Sequence, residues 1–205
     1  CRLHRRTALI QPCVPAEMDD LVRQAMGKWP NVPNCYGWLA LSARGDWYLR
    51  DDAAQAAGPF AGAGSTVTSK GSELRHEKLI GFINRNYAAD DAGCWYFQNG
   101  PQRVYVELES TPLIARLLPD GAVHAHTGSS LNIQRCLVDE AGHLYLDCNE
   151  GLARLHTQDL VAAVPFIEQG LWVPQLANGD DLPSRFGYVC SPQLRAFKAE
   201  SKKSD

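Results

Sequence analysis

The chain has 205 residues, 45% of them hydrophobic and 21% charged, with a formal net charge of −3 at neutral pH. That length and balance suit one large folded domain or two small ones and exclude wholesale disorder. A slightly acidic chain has no global attraction to nucleic acid or to an anionic membrane, and its apolar runs, such as 160–167, are too short to cross a bilayer.

In chain order, residues 1–15 read as an extended arm, because Pro12 and Pro15 forbid a regular helix there. Arg2, Arg5 and Arg6 are followed by too brief an apolar stretch for a secretory signal. Met18, Leu21, Val22, Ala25 and Met26 recur at helical spacing within 16–29, with Gly27 and Pro30 closing that helix. Strands at 36–41 and 47–50 flank Ala43-Arg44-Gly45-Asp46 and predict a hairpin. Residues 51–74 are rich in Gly, Ala and Ser, show neither helical nor strand period, and read as a long loop or insertion.

A second helix is expected over 77–87. Seven strands follow, at 95–98, 103–109, 113–118, 122–126, 131–138, 143–147 and 151–156. A third helix spans 158–168, with Thr157 as its expected N-cap and Gly170 as its stop. Beyond a short apolar run at 186–190 the chain reads as a flexible tail. Arg44-Gly-Asp-Trp-Tyr-Leu, Ala92-Gly-Cys-Trp-Tyr-Phe and Ala141-Gly-His-Leu-Tyr-Leu form a weak repeat: a glycine turn, one variable position, then an apolar residue, a tyrosine and another apolar residue.

Seven strands capped by a helix match the element order of a pleckstrin-homology-like barrel. The expected fold is therefore α+β: a small helix–hairpin domain over 16–75, carrying the 51–74 insertion, followed over 76–190 by a mainly antiparallel PH-like barrel closed by a C-terminal helix. The tail is 191–205.

Within the hairpin Cys94-Trp-Tyr-Phe-Gln-Asn-Gly-Pro-Gln-Arg-Val-Tyr-Val-Glu-Leu-Glu, alternation divides the side chains into two faces. Trp95, Phe97, Val104, Val106 and Leu108 form the core face. Tyr96, Gln98, Arg103, Tyr105 and Glu107 share the other, either as a solvated surface or as a ligand platform. Asn84 and Arg85 end the preceding helix, and Asn99 and Gln102 sit in the turn. These polar groups, with Arg103 as a fork for an anion and Tyr105 as stacking area, make Asn84, Arg85, Asn99, Gln102, Arg103 and Tyr105 the candidate ligand-binding set.

No catalytic signature is present: there is no Gly-x-Ser-x-Gly, no phosphate loop among Gly58, Gly62, Gly64 and Gly71, and no base beside Cys94. His124 and His126 share a strand face but lack a third ligand, so no metal and no cofactor is expected. Seven scattered cysteines (1, 13, 35, 94, 136, 148 and 190), with no C-x-x-C pair, read as free thiols of a cytoplasmic protein.

The run from 76 to 117, His-Glu-Lys-Leu-Ile-Gly-Phe-Ile-Asn-Arg-Asn-Tyr through Leu117, resembles a family of uncharacterised bacterial proteins, as do Trp29-Pro-Asn-Val-Pro-Asn-Cys-Tyr-Gly-Trp upstream and Arg185-Phe-Gly-Tyr-Val downstream. The D-x-x-G-x-[WY] turn and the Val-x-Val-Glu strand are also similar to a second family of unknown function, apart from the longer 51–74 connection. That likeness implies a duplicated two-domain arrangement with a PH-like C-terminal half, a nucleotide-like ligand between the domains and a part in signal transduction. Together these readings lead to the expectation of a binding module for a small polar ligand, phosphorylated or nucleotide-like, at the inter-domain interface. The alternative is a protein-interaction adaptor docking a partner through a strand edge or the insertion. Neither nucleic acid nor membrane is an expected partner.

Overall fold

The computed structural model describes residues 18–29 and 31–201, so the arm expected over 1–15 lies outside the described residues. Two mixed, six-stranded sheets form the molecule. The first sheet contains β1 (Cys35–Leu41), β2 (Trp47–Leu49), β3 (Ser72–Glu73), β4 (Tyr87–Ala89), β5 (Trp95–Asn99) and β6 (Gln102–Leu108), in the order β3-β2-β1-β6-β5-β4. In the second, β7 (Leu113–Leu117), β8 (Val123–Ala125), β9 (Ile133–Val138), β10 (Leu144–Cys148), β11 (Gly151–Leu155) and β12 (Pro174–Leu176) lie in the order β12-β9-β10-β11-β7-β8.

Neither sheet closes, which overturns the expected PH-like barrel. The strands from 95 onward do not form one consecutive set. The chain leaves the first sheet after β6, turns at Ser110-Thr111-Pro112 and starts the second with β7. Two parallel pairs hold this arrangement together. β1 runs beside β6, with Leu39 opposite Val106, and β7 runs beside β11, with Leu113 opposite Ala153. Both sheets thus follow one plan: the first strand of an opening hairpin pairs in parallel with the last strand of a later meander. β12 adds a further parallel edge to β9.

The repeat seen in the sequence is a backbone motif, and it occurs five times among the described residues, once in the turn after β8, where Ala125 donates to Ser129 O and accepts from Gly128. In the β1–β2, β4–β5, β7–β8 and β9–β10 turns, residues 42, 90, 118 and 139 each donate an N–H to the carbonyl four residues on and accept from the glycine three residues on. Gly45, Gly93, Gly121 and Gly142 fill that position at φ of 88°, 77°, 88° and 81°, a left-handed conformation that side-chain-bearing residues adopt only at a cost. Gly93 has a second reason to be glycine: an added Cβ would lie 2.0 Å from the Gly187 carbonyl oxygen.

One apolar core spans both sheets. Leu39, Leu41, Trp47, Trp95, Phe97, Val106 and Leu108 from the first meet Leu113, Ala115, Leu137, Leu146, Leu152 and Leu155 from the second. The core face expected for the β5–β6 hairpin is therefore in place, with Val104 at its margin. Asn99 pairs with Gln102, leaving Gly100-Pro101 as a two-residue turn in which Gly100 has a positive φ of 56°, the feature that tight hairpins require at their first central position.

Residues 51–74 are not an unstructured loop. They carry α2 (Asp52–Ala56), α3 (Val67–Lys70) and β3. Arg50, 1% exposed, organises the segment: Nε donates to Ser69 O (2.8 Å), one terminal nitrogen to Gly37 O (3.2 Å) and the other to Gly58 O (2.5 Å). A central guanidinium can thus replace the periodic apolar burial that the composition lacks.

Of the other helices, α1 (Asp20–Lys28) and α4 (Glu77–Arg85) bury Val22 and Ile83 respectively, and α5 (Leu160–Glu168) buries Ala163. A 3-10 turn, Thr157–Asp159, precedes α5, and it is His156, not Thr157, whose side chain caps it by accepting from the Gln158 N–H at 3.1 Å. α6 (Leu182–Phe186) and α7 (Pro192–Ser201) complete the chain, α7 occupying the segment expected as tail. No helix among the described residues is long and apolar enough to cross a membrane.

Candidate functional site

The second face of the β5–β6 hairpin is covered. Tyr96 and Tyr105 are buried with Ala88 and Cys94 in a small cluster against Tyr36 and Val189. Tyr36 stacks on Tyr105 with ring centroids 4.7 Å apart, and Tyr105 Oη donates to Asp90 at 2.9 Å. Arg103 lies over the Tyr96 ring at 4.5 Å. Burial pushes the Tyr105 hydroxyl up, helped by the Asp90 carboxylate, and pushes the Cys94 thiol to about 11, so neither group ionises near neutrality.

The remaining members of the sequence-derived set lie in different surroundings. Asn84 accepts from Trp47 Nε1 at 2.8 Å and donates to the His126 carbonyl at 3.2 Å, tying α4 to the region between the sheets. Arg85 pairs with Asp19 at 3.3 Å and donates to Gly81 O. Gln102 donates to Pro33 O at 3.1 Å, and Asn99 is exposed at the hairpin tip. His126 is half-buried, its Nδ1 accepting from the Ile114 N–H, and burial holds its pKa at about 3. Among the described residues no group of three His, Cys, Asp or Glu side chains could hold a metal ion.

A cleft of about 530 Å³ opens elsewhere, where the chain passes from one sheet to the other. Its walls are the end of β6 (107–110), the β9–β10 turn with His143 and Tyr145, Arg154 on β11, residues 59–62, and the 179–194 region with Tyr188. Arg154 stands directly across from Tyr145 in the β10–β11 register. Its Nε is buried with no hydrogen-bond partner among the described residues, and no carboxylate there lies within salt-bridge distance of its guanidinium.

The opposite holds for Asp139. One carboxylate oxygen accepts the Ala141 and His143 N–H groups at 3.0 and 2.8 Å; the other faces His143 Nδ1 at 2.9 Å and Tyr145 Oη at 2.8 Å. Burial alone would raise this carboxyl, but those donors outweigh it and hold it below the usual carboxylate range. Asp139 is therefore a carboxylate, so His143 Nδ1 carries the proton in their hydrogen bond, and it is Nε2 that is bare in the neutral tautomer of this ring.

Three of the other lining carboxylates are also engaged. Glu107 accepts from Ser191 Oγ at 2.5 Å and from the Gln193 N–H at 3.0 Å, docking the start of α7. Burial pushes the Glu107 pKa up. Glu109 pairs with Lys70 and accepts the Ala43 N–H at 2.8 Å, while Glu140 accepts the Gly179 N–H at 3.0 Å.

A family model described as "Protein of unknown function (DUF2946)", under the name DUF2944, matches residues 18–193. The chain belongs to this family of unknown function. Its match ends at Gln193 on α7 and so takes in every wall of the cleft except Leu194. No curated protein matches the chain. Among solved structures, a crystal structure of a DUF1285 family protein from Silicibacter pomeroyi DSS-3 aligns with 13% identity and a TM-score of 0.44, covering 72% of this chain and 84% of the other.

In this family member the sequence reading passed over Asp139, His143, Tyr145, Arg154 and Tyr188. One signal for them was present. His143 and Tyr145 occupy the variable and tyrosine positions of the third repeat copy, and Asp139 opens its turn where Ser42 and Asp90 open the other two. Arg154 carried none: it is one arginine in an alternating strand, and its orphaned state emerges only once its neighbours have found other partners.

Proposed function

We propose that the chain is a binding module for a small carboxylate-bearing molecule, held in the cleft between the two sheets with Arg154 as its anchor. The observation that carries this reading is the buried, partnerless Nε of Arg154 in the cleft wall. Leaving a buried polar donor unpaired costs about 1–3 kcal/mol, more for a charged group, and a bidentate carboxylate supplies the missing acceptors. Charge favours a singly anionic ligand over a phosphorylated or nucleotide-like one. The cleft is lined by Glu107, Glu109, Asp139, Glu140 and Asp180 against the single guanidinium of Arg154, a balance that repels a multiply charged phosphate. Residues 59–62 of the Gly/Ala-rich segment form part of the wall, which gives that segment a role at the ligand site.

A thermal-shift series of small monocarboxylates against wild type and Arg154→Met tests the proposal. Wild type should be stabilised by at least one of them. The variant should lose that shift while melting at the same temperature as unliganded wild type or above it, since the substitution removes an unpaired buried donor. A variant that keeps the shift, or that melts several degrees lower without ligand, would show that Arg154 is structural.

A further inference from the structure

The cleft also offers a second unused group, and its chemistry narrows the ligand. Because Asp139 is a carboxylate saturated by four donors, His143 donates through Nδ1 and presents Nε2 as an acceptor. No hydrogen bond to another described residue occupies that nitrogen, and the His143 side chain is 38% exposed where it lines the cleft. His143 and Arg154 flank the same tyrosine. Arg154 is the cross-strand partner of Tyr145, and His143 lies two residues before Tyr145 along the same face. Diagonal neighbours of this kind lie about 7–8 Å apart, close enough for one small molecule to touch both side chains.

Arg154 supplies only donors, and His143, with its Nδ1 proton committed to Asp139, can supply an acceptor through Nε2, so a matching ligand carries an anionic acceptor at one end and a donor at the other. The surrounding charge decides what the donor is. Five carboxylates line the cleft and only Glu109 is matched by a lysine, Lys70, so once a ligand carboxylate has neutralised Arg154 the remaining field is negative. A cationic ammonium gains from that field, whereas a neutral hydroxyl does not.

We propose that the ligand is a zwitterion of the amino-acid type, its carboxylate on the Arg154 guanidinium and its ammonium donating to His143 Nε2, with Asp139 fixing the ring behind it. This rests on the carboxylate-binding reading above and adds the second contact.

The test is titration calorimetry on the full chain with three sets of probes: the standard free amino acids, their N-acetyl forms, which keep only the carboxylate, and their amides, which keep only the ammonium. At least one free amino acid should bind, and its N-acetyl and amide forms should each bind about tenfold more weakly or worse, a difference of about 1.4 kcal/mol. His143→Phe should abolish the preference for the free amino acid over its N-acetyl form. The wild-type comparison decides the matter even if that variant does not fold. Equal binding of N-acetyl and free forms, dependent on Arg154, would overturn the zwitterion assignment and leave the carboxylate reading standing. Equal binding of the amides would overturn both, as would silence from all three sets and from the monocarboxylates. Silence from the free amino acids alone, with monocarboxylates binding, would overturn only the zwitterion.

Discussion

Replacing His126 with asparagine should remove a pH dependence from the stability of the fold. His126 is half-buried between Trp47 and Tyr87, its ring centroid 5.6 and 5.8 Å from theirs, and it is held neutral, its pKa lowered by burial from 6.5 to about 3. In the unfolded chain the ring takes a proton as the pH falls through 6.5, while in the folded chain it does not until the pH nears 3. Between those values the unfolded state binds the extra proton, so stability falls as the solution is acidified. A full proton of difference between the two states costs about 1.36 kcal/mol for each pH step of one, and with these two pKa values the loss between pH 7 and pH 5 is about 2 kcal/mol. Asparagine Oδ1 can take the place of Nδ1 as acceptor for the Ile114 N–H and does not titrate. The variant loses ring packing and starts less stable at neutral pH, but the gap to wild type should narrow by about 2 kcal/mol at pH 5. Urea denaturation of both proteins at pH 7, 6 and 5 measures the gap, and ionisations common to both cancel. A gap that stays constant across that range would refute the reasoning, because it would mean that His126 takes up its proton in the folded protein as readily as in the unfolded one.

Arg50→Met should cost about 3 kcal/mol or more, since it strands the carbonyls of Ser69, Gly37 and Gly58 inside the protein. Limited proteolysis should then cut first within 51–74, whereas a wild-type cleavage pattern would show that the segment holds itself together. Gly93→Ala should cost at least about 2 kcal/mol by denaturant unfolding, combining a left-handed backbone with a Cβ placed against the Gly187 carbonyl. Gly142→Ala, at a φ of 81° with nothing within 4 Å of the added Cβ, is the control for the backbone contribution alone.

The local elements were legible and their partners were not. Each strand expected between 95 and 156 is present within two residues of its expected ends, because alternation and glycine turns are short-range signals. Alternation also sorted the hairpin correctly into Trp95, Phe97, Val106 and Leu108 on one face and Tyr96 and Tyr105 on the other. What it could not state is that both faces are covered. The cover over Tyr96 and Tyr105 comes from Tyr36 and Val189, about 60 residues upstream and 90 downstream. Nor does any local pattern mark the parallel pairs β1–β6 and β7–β11. A parallel pairing joins strands far apart in the chain, whereas element order suggests pairing with the neighbour, and that default produced a barrel.

The same limit explains why the polar groups of the hairpin looked like a site while those of the cleft did not. Asp90 and Asp139 open identical turns, and in each a tyrosine hydroxyl donates to the carboxylate, from Tyr105 in one case and Tyr145 in the other. After the turn glycine, one copy has Cys94 and the other His143. In the first, the 188–190 segment crosses the strand, Val189 N–H bonding to Gly93 O, and the face is sealed with a thiol that stays protonated. In the second, the chain's passage from β6 to β7 leaves the turn facing a gap, and β11 contributes a guanidinium that nothing nearby satisfies. One turn motif therefore yields a closed aromatic cluster in one sheet and an open polar cleft in the other. The difference lies in what packs over it: the hairpin leaves only a neutral amide oxygen, Gln98 Oε1, unpaired beneath its cover, whereas the cleft leaves a charged guanidinium nitrogen unpaired beside open space, and that contrast is what favours the cleft in the proposal above.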